Sequence, residues 1–192
     1  MASHNERCKE CKRRVAELLQ AIYGKVAVNH DLNLPCRLED YRPYPAYDAL
    51  AFIHGEFQRH RGFLDFVRAR RVPRVDFFVP SCGLLVEFDE SQHFTLPRLI
   101  SLKAYPENLR LGFSRNKWME LAQKLNKKDN DPPFRDEQRA WYDTLRDFSA
   151  LVLDHAPTVR LFAKDFSWCA LDAKNPNEIE RFSKLCRETG FA

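Results

Sequence analysis

The stretch Arg74-Val-Asp-Phe-Phe-Val-Pro-Ser-Cys-Gly-Leu-Leu-Val-Glu-Phe-Asp-Glu-Ser-Gln-His-Phe94 decides the fold. Two short apolar runs, residues 75–79 and 84–88, flank a Pro-Ser-Cys-Gly turn, and these turn residues favour a β-hairpin over a helix. Because both runs are rich in Val, Phe and Leu, we expect two central strands that are covered on both faces.

Each predicted strand carries a carboxylate, Asp76 in the first and Glu87 in the second, and Asp89 follows directly. An acid in an apolar strand is costly unless it is paired or binds a metal. Residues two apart on a strand share a face, so we expect Glu87 beside Asp89, with Asp76 reaching them across the hairpin. Converging carboxylates predict a Mg²⁺ or Mn²⁺ site. The alternative is a set of ordinary strand-end and solvated acids.

The order Asp76, a turn, then Glu87-x-Asp89 resembles the core of the PD-(D/E)XK nucleases, which have the restriction-endonuclease-like fold. The string from Val86 to His93 is similar to the very-short-patch-repair endonuclease branch, whose members commonly read Asp-Phe … Ile-Glu-x-Asp-Gly-x-x-His. The usual lysine of the family, two residues after the acid, is replaced by Asp89. That branch often lacks the lysine too.

The resemblance implies an α/β fold with a restriction-endonuclease-like core, in which a mixed central sheet is flanked by helices. It divides the chain into an N-terminal helix and loop appendage over residues 1–46 and a nuclease-like domain over residues 47–192, with an insertion at about residues 95–130. The implied activity is that of a divalent-metal-dependent endonuclease, a hydrolase of phosphodiester bonds in nucleic acid, with DNA as the expected substrate.

Each candidate residue has an expected role. Asp76 and Glu87 would bind the divalent ion, and Asp89 would be a third ligand or support the other two. His93 is the expected general base or proton carrier, because an imidazole exchanges protons near neutral pH. Gln92 would orient water or a metal ligand. The alternative for His93 is a buried, hydrogen-bonded core residue.

Two further residues enter through the resemblance. In this fold the helix before the hairpin often supplies an extra acid, which makes Glu56 a candidate fourth member of the catalytic set. Asp136-Glu-Gln-Arg139 resembles the Asp-x-x-Arg of relatives of the repair endonucleases, where the arginine lies near the carboxylates. Arg139 is therefore a predicted phosphate contact. A surface glutamate and a helix-surface ion pair are the respective alternatives.

The densest basic run of the chain precedes Asp76. Arginines beside an acidic metal site attract the phosphate backbone while the acids hold the cation. A solvated charged face is the alternative. The predicted nucleic-acid contacts in this run are Arg70, Arg71 and Arg74.

Cys8-Lys-Glu-Cys11 is half of a zinc site, and a complete site needs further ligands. A redox pair and two plain thiols are the alternatives. The six cysteines are scattered through a chain that is long enough to fold without disulfides, which predicts a reducing, cytoplasmic location.

Composition predicts a folded protein with a sizeable core, since 44% of its 192 residues are hydrophobic and 30% are charged. The net charge of +4 permits an anionic partner without requiring one.

No signal peptide is read at the N-terminus, and no apolar run approaches the roughly 20 residues that span a bilayer, so no membrane partner is expected. A homodimer is left open.

Two rival functions are open. The first is a nucleic-acid-binding or protein-interaction module on the same fold, with a site too degraded for catalysis; the absent lysine supports it. The second is another kind of hydrolase, but the chain has no Gly-x-Ser-x-Gly, no His-Glu-x-x-His and no phosphate-binding glycine loop.

Hydrophobic periodicity also predicts the elements around the hairpin. Helices are expected over residues 5–23, 47–60, 134–153 and 175–190, with one more around Trp118, Leu121 and Leu125. Short strands are expected over residues 25–30 and 158–163.

Overall fold

A computed structural model of the chain describes residue 6 and residues 8–188. The described residues form an α/β structure with a four-stranded open mixed sheet and seven α-helices. The strands are β1 Ala27–His30, β2 Val75–Val79, β3 Leu84–Asp89 and β4 Val159–Phe162. The helices are α1 Lys9–Tyr23, α2 Tyr47–Arg61, α3 Leu96–Ala104, α4 Arg115–Leu125, α5 Arg135–Asp147, α6 Ala150–Leu153 and α7 Pro176–Glu188.

The sheet has the spatial order β1-β2-β3-β4. The first three strands are antiparallel neighbours, and β4 returns parallel to β3 after α3 to α6. The predicted hairpin is therefore the centre of the sheet. Its turn ends at Gly83, whose φ of +61° lies in the left-handed region that glycine adopts without strain.

Two apolar cores cover the sheet, one on each face. On one side, Val15 and Leu18 of α1 and Phe182 of α7 pack against Phe77 and Val86. On the other side, α2, α3 and α5 enclose a larger core, whose members include Leu50, Ile53, Leu85, Leu102, Trp141 and Leu145. The alternating side chains of β2 and β3 thus serve both cores, as their apolar sequences predict.

Local signals set the ends of several helices. The Thr95 hydroxyl accepts a hydrogen bond from the Arg98 N–H at the start of α3, and Ser114 does the same for Lys117 at the start of α4. Gly62 ends α2 in the left-handed conformation, with its N–H donating to the Gln58 carbonyl. These caps position α3 and α4 in the core, where both contribute side chains to the site.

The predicted helices and strands are present among the described residues, α3 is an additional helix that was not predicted, and one predicted helix is divided. The helix predicted over residues 134–153 is divided into α5 and α6, because Ser149 and Leu151 donate to carbonyls three residues back rather than four. In the described part of the predicted appendage over residues 1–46, β1 pairs with β2 and α1 packs on the sheet. This part of the chain therefore belongs to the core.

The region predicted as an insertion, at about residues 95–130, folds as α3 and α4. Leu99, Leu102 and Trp118 are buried in the larger core, so the region is part of the packed domain. Among the described residues, no helix is both long enough and apolar enough to cross a membrane.

Candidate active site

The two acids of the hairpin meet where β2 and β3 separate. The paired register ends at Phe77 and Val86. Beyond it, the Phe88 N–H donates to Asp76 Oδ2 at 2.9 Å, and the Asp76 N–H donates to Glu87 Oε1 at 3.3 Å. At this point the two backbone N–H groups donate to side-chain carboxylates instead of to backbone carbonyls of the opposite strand. These hydrogen bonds hold Asp76 and Glu87 side by side.

Lys12 of α1 reaches this point from outside the hairpin. Its Nζ lies 2.7 Å from Asp76 Oδ1, and the side chains of Lys12 and Asp76 are 38% and 18% exposed. The pair borders a cleft of about 340 Å³ between α1 and the first two strands. The cleft is lined by Lys9, Lys12, Arg13, Val28, Asp76 and Phe77, among others. A positively charged wall therefore faces the exposed acid.

Glu87 lies behind Asp76 and is buried, with 4% of its surface exposed. The pKa of Glu87 is raised to about 7, first of all by burial, with Arg146 opposing the shift and the Asp76 carboxylate adding to it. Arg146 Nε lies 3.4 Å from Glu87 Oε1, yet that buried Nε has no hydrogen-bond partner among the described residues. Among the described residues, the Glu87 carboxylate accepts one hydrogen bond, at Oε1 from the Asp76 N–H, so its Oε2 keeps acceptor capacity.

Asp89 is in the opposite situation, because both of its oxygens are engaged. Trp118 Nε1 donates to Oδ2 at 2.7 Å. The Arg160 guanidinium donates to Oδ1 at 2.8 Å and to Oδ2 at 3.1 Å. Asp89 is 1% exposed, so these partners are shielded from water.

A buried charge network extends from Asp89 through α5. Arg160 Nε donates to Asp147 at 2.7 Å, and Arg98 of α3 donates to the other oxygen of the same carboxylate at 2.7 Å. Arg160 also donates to the Asp143 carbonyl at 3.1 Å. We name the six buried residues of this set the core network: Asp89, Arg98, Asp143, Arg146, Asp147 and Arg160. Within the network every charged group faces a group of opposite sign, as buried charges require.

His93 joins the edge of the core network. Its Nδ1 lies 2.9 Å from Asp143 Oδ2 and 3.7 Å from Asp89 Oδ1. Burial lowers the pKa of His93, but the Asp143 carboxylate outweighs burial, so the pKa is raised overall. Burial acts to raise the pKa of Asp143, and the cations His93 and Arg160 more than reverse this, leaving it well below the usual value.

Asp76 and Glu87 are neighbours, whereas Asp89 lies in a different group of side chains. The ligand atoms of Asp89, His93 and Asp143 all lie within 4.8 Å of one another. Arg160 contacts both carboxylates of that group, which disfavours a second cation there. Of the two roles expected for Asp89, support of the pair fits this position better than metal coordination, and joint coordination by three acids stays a prediction.

The remaining candidates lie elsewhere. Glu56 pairs with Arg59 on the surface of α2, and no hydrogen bond or ion pair between described residues joins it to the predicted acids. Gln92 Nε2 donates to Glu90 at 3.1 Å. Arg139 donates to the Gln92 carbonyl at 3.0 Å and to Asp129 at 2.8 Å. The expectation that Arg139 lies against the three acids is not met, since its carboxylate partners are Asp129 and Asp136.

The arginines that precede β2 are available for contacts. Arg70, Arg71 and Arg74 are exposed, and none forms an ion pair with another residue of the described chain. Their side chains are therefore solvated, as both the nucleic-acid prediction and its alternative require.

Sequence reasoning missed several residues that the structure brings together. Lys12, Arg146 and Arg160 are not among the residues that the sequence singles out. Cys169 joins Cys8 and Cys11. One available signal was Arg160 in the apolar strand Thr-Val-Arg-Leu-Phe-Ala, since a charge in a buried strand requires a buried partner.

The chain matches no protein-family model, no curated protein and no solved structure.

Proposed function

We propose that this protein is a divalent-metal-dependent nuclease that hydrolyses phosphodiester bonds in nucleic acid, with DNA as the expected substrate. The observation that carries the proposal is the pair Asp76 and Glu87 at the separation of two strands, beside a cleft with a basic wall. A restriction-endonuclease-like core is part of the proposal. It is supported by the central hairpin, which is followed by helices α3 to α6 and a strand parallel to β3.

The donor set fits Mg²⁺ or Mn²⁺. Magnesium is usually held through one or two carboxylates together with water and substrate phosphates, so two acids are sufficient. Glu87 Oε2 has acceptor capacity beyond the one hydrogen bond that reaches Oε1, and Asp76 is partly exposed at the cleft. Asp89 is not needed as a ligand, because its oxygens already serve Arg160 and Trp118. When bound, the ion supplies Lewis-acid stabilisation of charge on the phosphate.

Lys12 occupies the role that the replaced lysine leaves open. Its ammonium group has three N–H donors, and the contact with Asp76 Oδ1 at 2.7 Å uses one of them. The others are available to a phosphate oxygen in the cleft. Lys12 also holds Asp76 in place until a phosphate arrives. Lys9 on the same helix adds a second positive charge to the cleft, which attracts the backbone.

The test compares wild type with Asp76→Asn and Glu87→Gln on plasmid, linear, mismatched and single-stranded DNA in Mn²⁺. The matched control is Asp65→Asn, an exposed acid whose partner is Arg68. We expect cleavage by wild type and control, and a loss of at least about 100-fold in both site variants. Equal cleavage by Glu87→Gln and wild type would show that the activity comes from another site.

A second candidate, a nucleic-acid-binding module without cleavage, is favoured by one observation. Lys12 fills the position beside Asp76 that a cation would take. This candidate predicts that wild type binds DNA but takes up no Mn²⁺ in a calorimetric titration. It also predicts that Lys12→Met does not change cleavage, because there is none.

A further inference from the structure

Three cysteine thiols meet at the start of α1. Cys8 precedes the helix and Cys11 lies in its first turn, while Cys169 lies in the 3-10 turn Trp168–Ala170. The three sulfurs lie within 4.8 Å of one another. Sulfurs bound tetrahedrally to zinc at about 2.3 Å are about 3.8 Å apart, so small side-chain rotations bring these three into position.

We propose that Cys8, Cys11 and Cys169 form a zinc site. Thiolates select zinc over magnesium or calcium, which take oxygen ligands. Three thiolates leave a fourth tetrahedral position, which water completes. The proposal does not rest on the proposed nuclease function, since the two sites have different ligands and different metals.

The fold holds the third ligand firmly. Trp168, the neighbour of Cys169, is 1% exposed and packs edge-on against Phe88 of β3 and Phe182 of α7. Its indole N–H donates to the Phe162 carbonyl at the end of β4 at 3.1 Å. The 3-10 turn is therefore fixed to the sheet, and α1 is packed on the same core. Ligands on rigid elements are held ready for the metal.

Zinc binding removes the protons of these thiols. Cys11 is buried, so a thiolate there requires a partner of opposite charge. A bound zinc ion supplies that charge, because a coordinating thiol is deprotonated outright. Cys8 and Cys169 are partly exposed, which provides a path for the ion.

The experiment uses the whole chain, reduced and stripped of metal with a chelator, and then titrated with Zn²⁺. The variants are Cys169→Ser and Cys8→Ser. The matched control is Cys82→Ser, an exposed cysteine in the hairpin turn. We expect about one zinc ion per chain in wild type and control, and an affinity at least about 100-fold lower in the two site variants. Zinc uptake by Cys169→Ser equal to that of wild type would overturn the proposal.

Cobalt substitution separates coordination from folding. Co²⁺ bound by thiolates absorbs strongly, and the intensity of the charge-transfer band follows the number of sulfur ligands. We expect a three-thiolate spectrum in wild type and a weaker, two-thiolate spectrum in Cys8→Ser, with unchanged circular dichroism. The proposal is wrong if the reduced wild type does not bind Zn²⁺. If the metal-free protein also contains a Cys8–Cys11 disulfide and still does not bind zinc after reduction, the two cysteines form a redox pair instead.

Discussion

Asp76 and Asp89 both lie beside a cation, but one does so at a cleft and the other in the core. Asp76 is 2.7 Å from Lys12, with the two side chains 18% and 38% exposed. Asp89 is 2.8 Å from Arg160, with the two side chains 1% and 0% exposed. An exposed ion pair contributes about 0–1 kcal/mol and can exchange partners, whereas breaking a buried pair leaves an uncompensated charge. Of these two carboxylates, Asp76 is therefore the one that can exchange its counter-ion.

The largest expected effect is in the core network. Arg160→Met leaves Asp89, Asp143 and Asp147 without their shared guanidinium. We expect the free energy of unfolding to fall by about 3–5 kcal/mol, because buried carboxylates lose their counter-charge. Urea denaturation measures this loss. If the free energy of unfolding falls by less than about 1 kcal/mol, the buried pair Asp89–Arg160 behaves like the partly exposed pair Asp76–Lys12, and burial does not distinguish them.

The next effect is on activity at the cleft. Lys12→Met removes the cation that contacts Asp76, and we expect the rate of DNA cleavage to fall by about 100-fold. Stability should change by less than about 1 kcal/mol, because the pair is partly exposed. The control is Lys124→Met, an exposed lysine on α4. If Lys12→Met loses stability but keeps its activity, then Lys12 is a structural residue.

The pH dependence of stability tests the environment of Glu87. Its pKa is about 7 in the folded protein against 4.5 as the ordinary value, so between these values the folded state binds more protons than the unfolded state. The Glu87 contribution to stability is therefore lost as pH rises through this window, with a slope of up to about 1.4 kcal/mol per pH unit.

The measurement is the difference between wild type and Glu87→Gln in urea denaturation without metal, from pH 4.5 to pH 7. His93 and Asp143 contribute to the pH dependence of stability in both proteins, so their contributions cancel in the difference. We expect wild type to lose stability relative to the variant as pH rises. A flat or rising difference would show that Arg146 keeps Glu87 ionised across the window.

The smallest effect is expected at the exposed ion pairs of Arg13 on α1. Arg13 contacts Glu10 and Glu17, and its side chain is 61% exposed. Arg13→Ala should leave the midpoint of urea denaturation unchanged within experimental error, because water and salt screen the charges. If Arg13→Ala lowers the free energy of unfolding as much as Arg160→Met does, then burial does not explain why ion pairs in the core network and on the surface of α1 differ.

Much of the fold was predictable because its signals are local. The hairpin follows from two apolar runs and a turn, and the helices follow from apolar periodicity and caps. The split between α5 and α6 was not predictable, because the apolar pattern continues through Ser149 while the hydrogen bonds tighten there. Of the candidate site, the adjacency of Asp76 and Glu87 was correctly expected from hairpin geometry.

The sequence by itself determined the central hairpin, its two acids and the basic character of the chain around them. Tertiary structure decided which carboxylate oxygens remain free to accept further bonds. The oxygens of Asp89 are engaged because Arg160, 71 residues away in the sequence, contacts them from β4. It likewise brought Lys12 to Asp76 and Cys169 to Cys8 and Cys11. Local patterns encode which face of an element is buried, but a buried charge takes its partner from whichever element packs against it. That choice is made only when the chain folds.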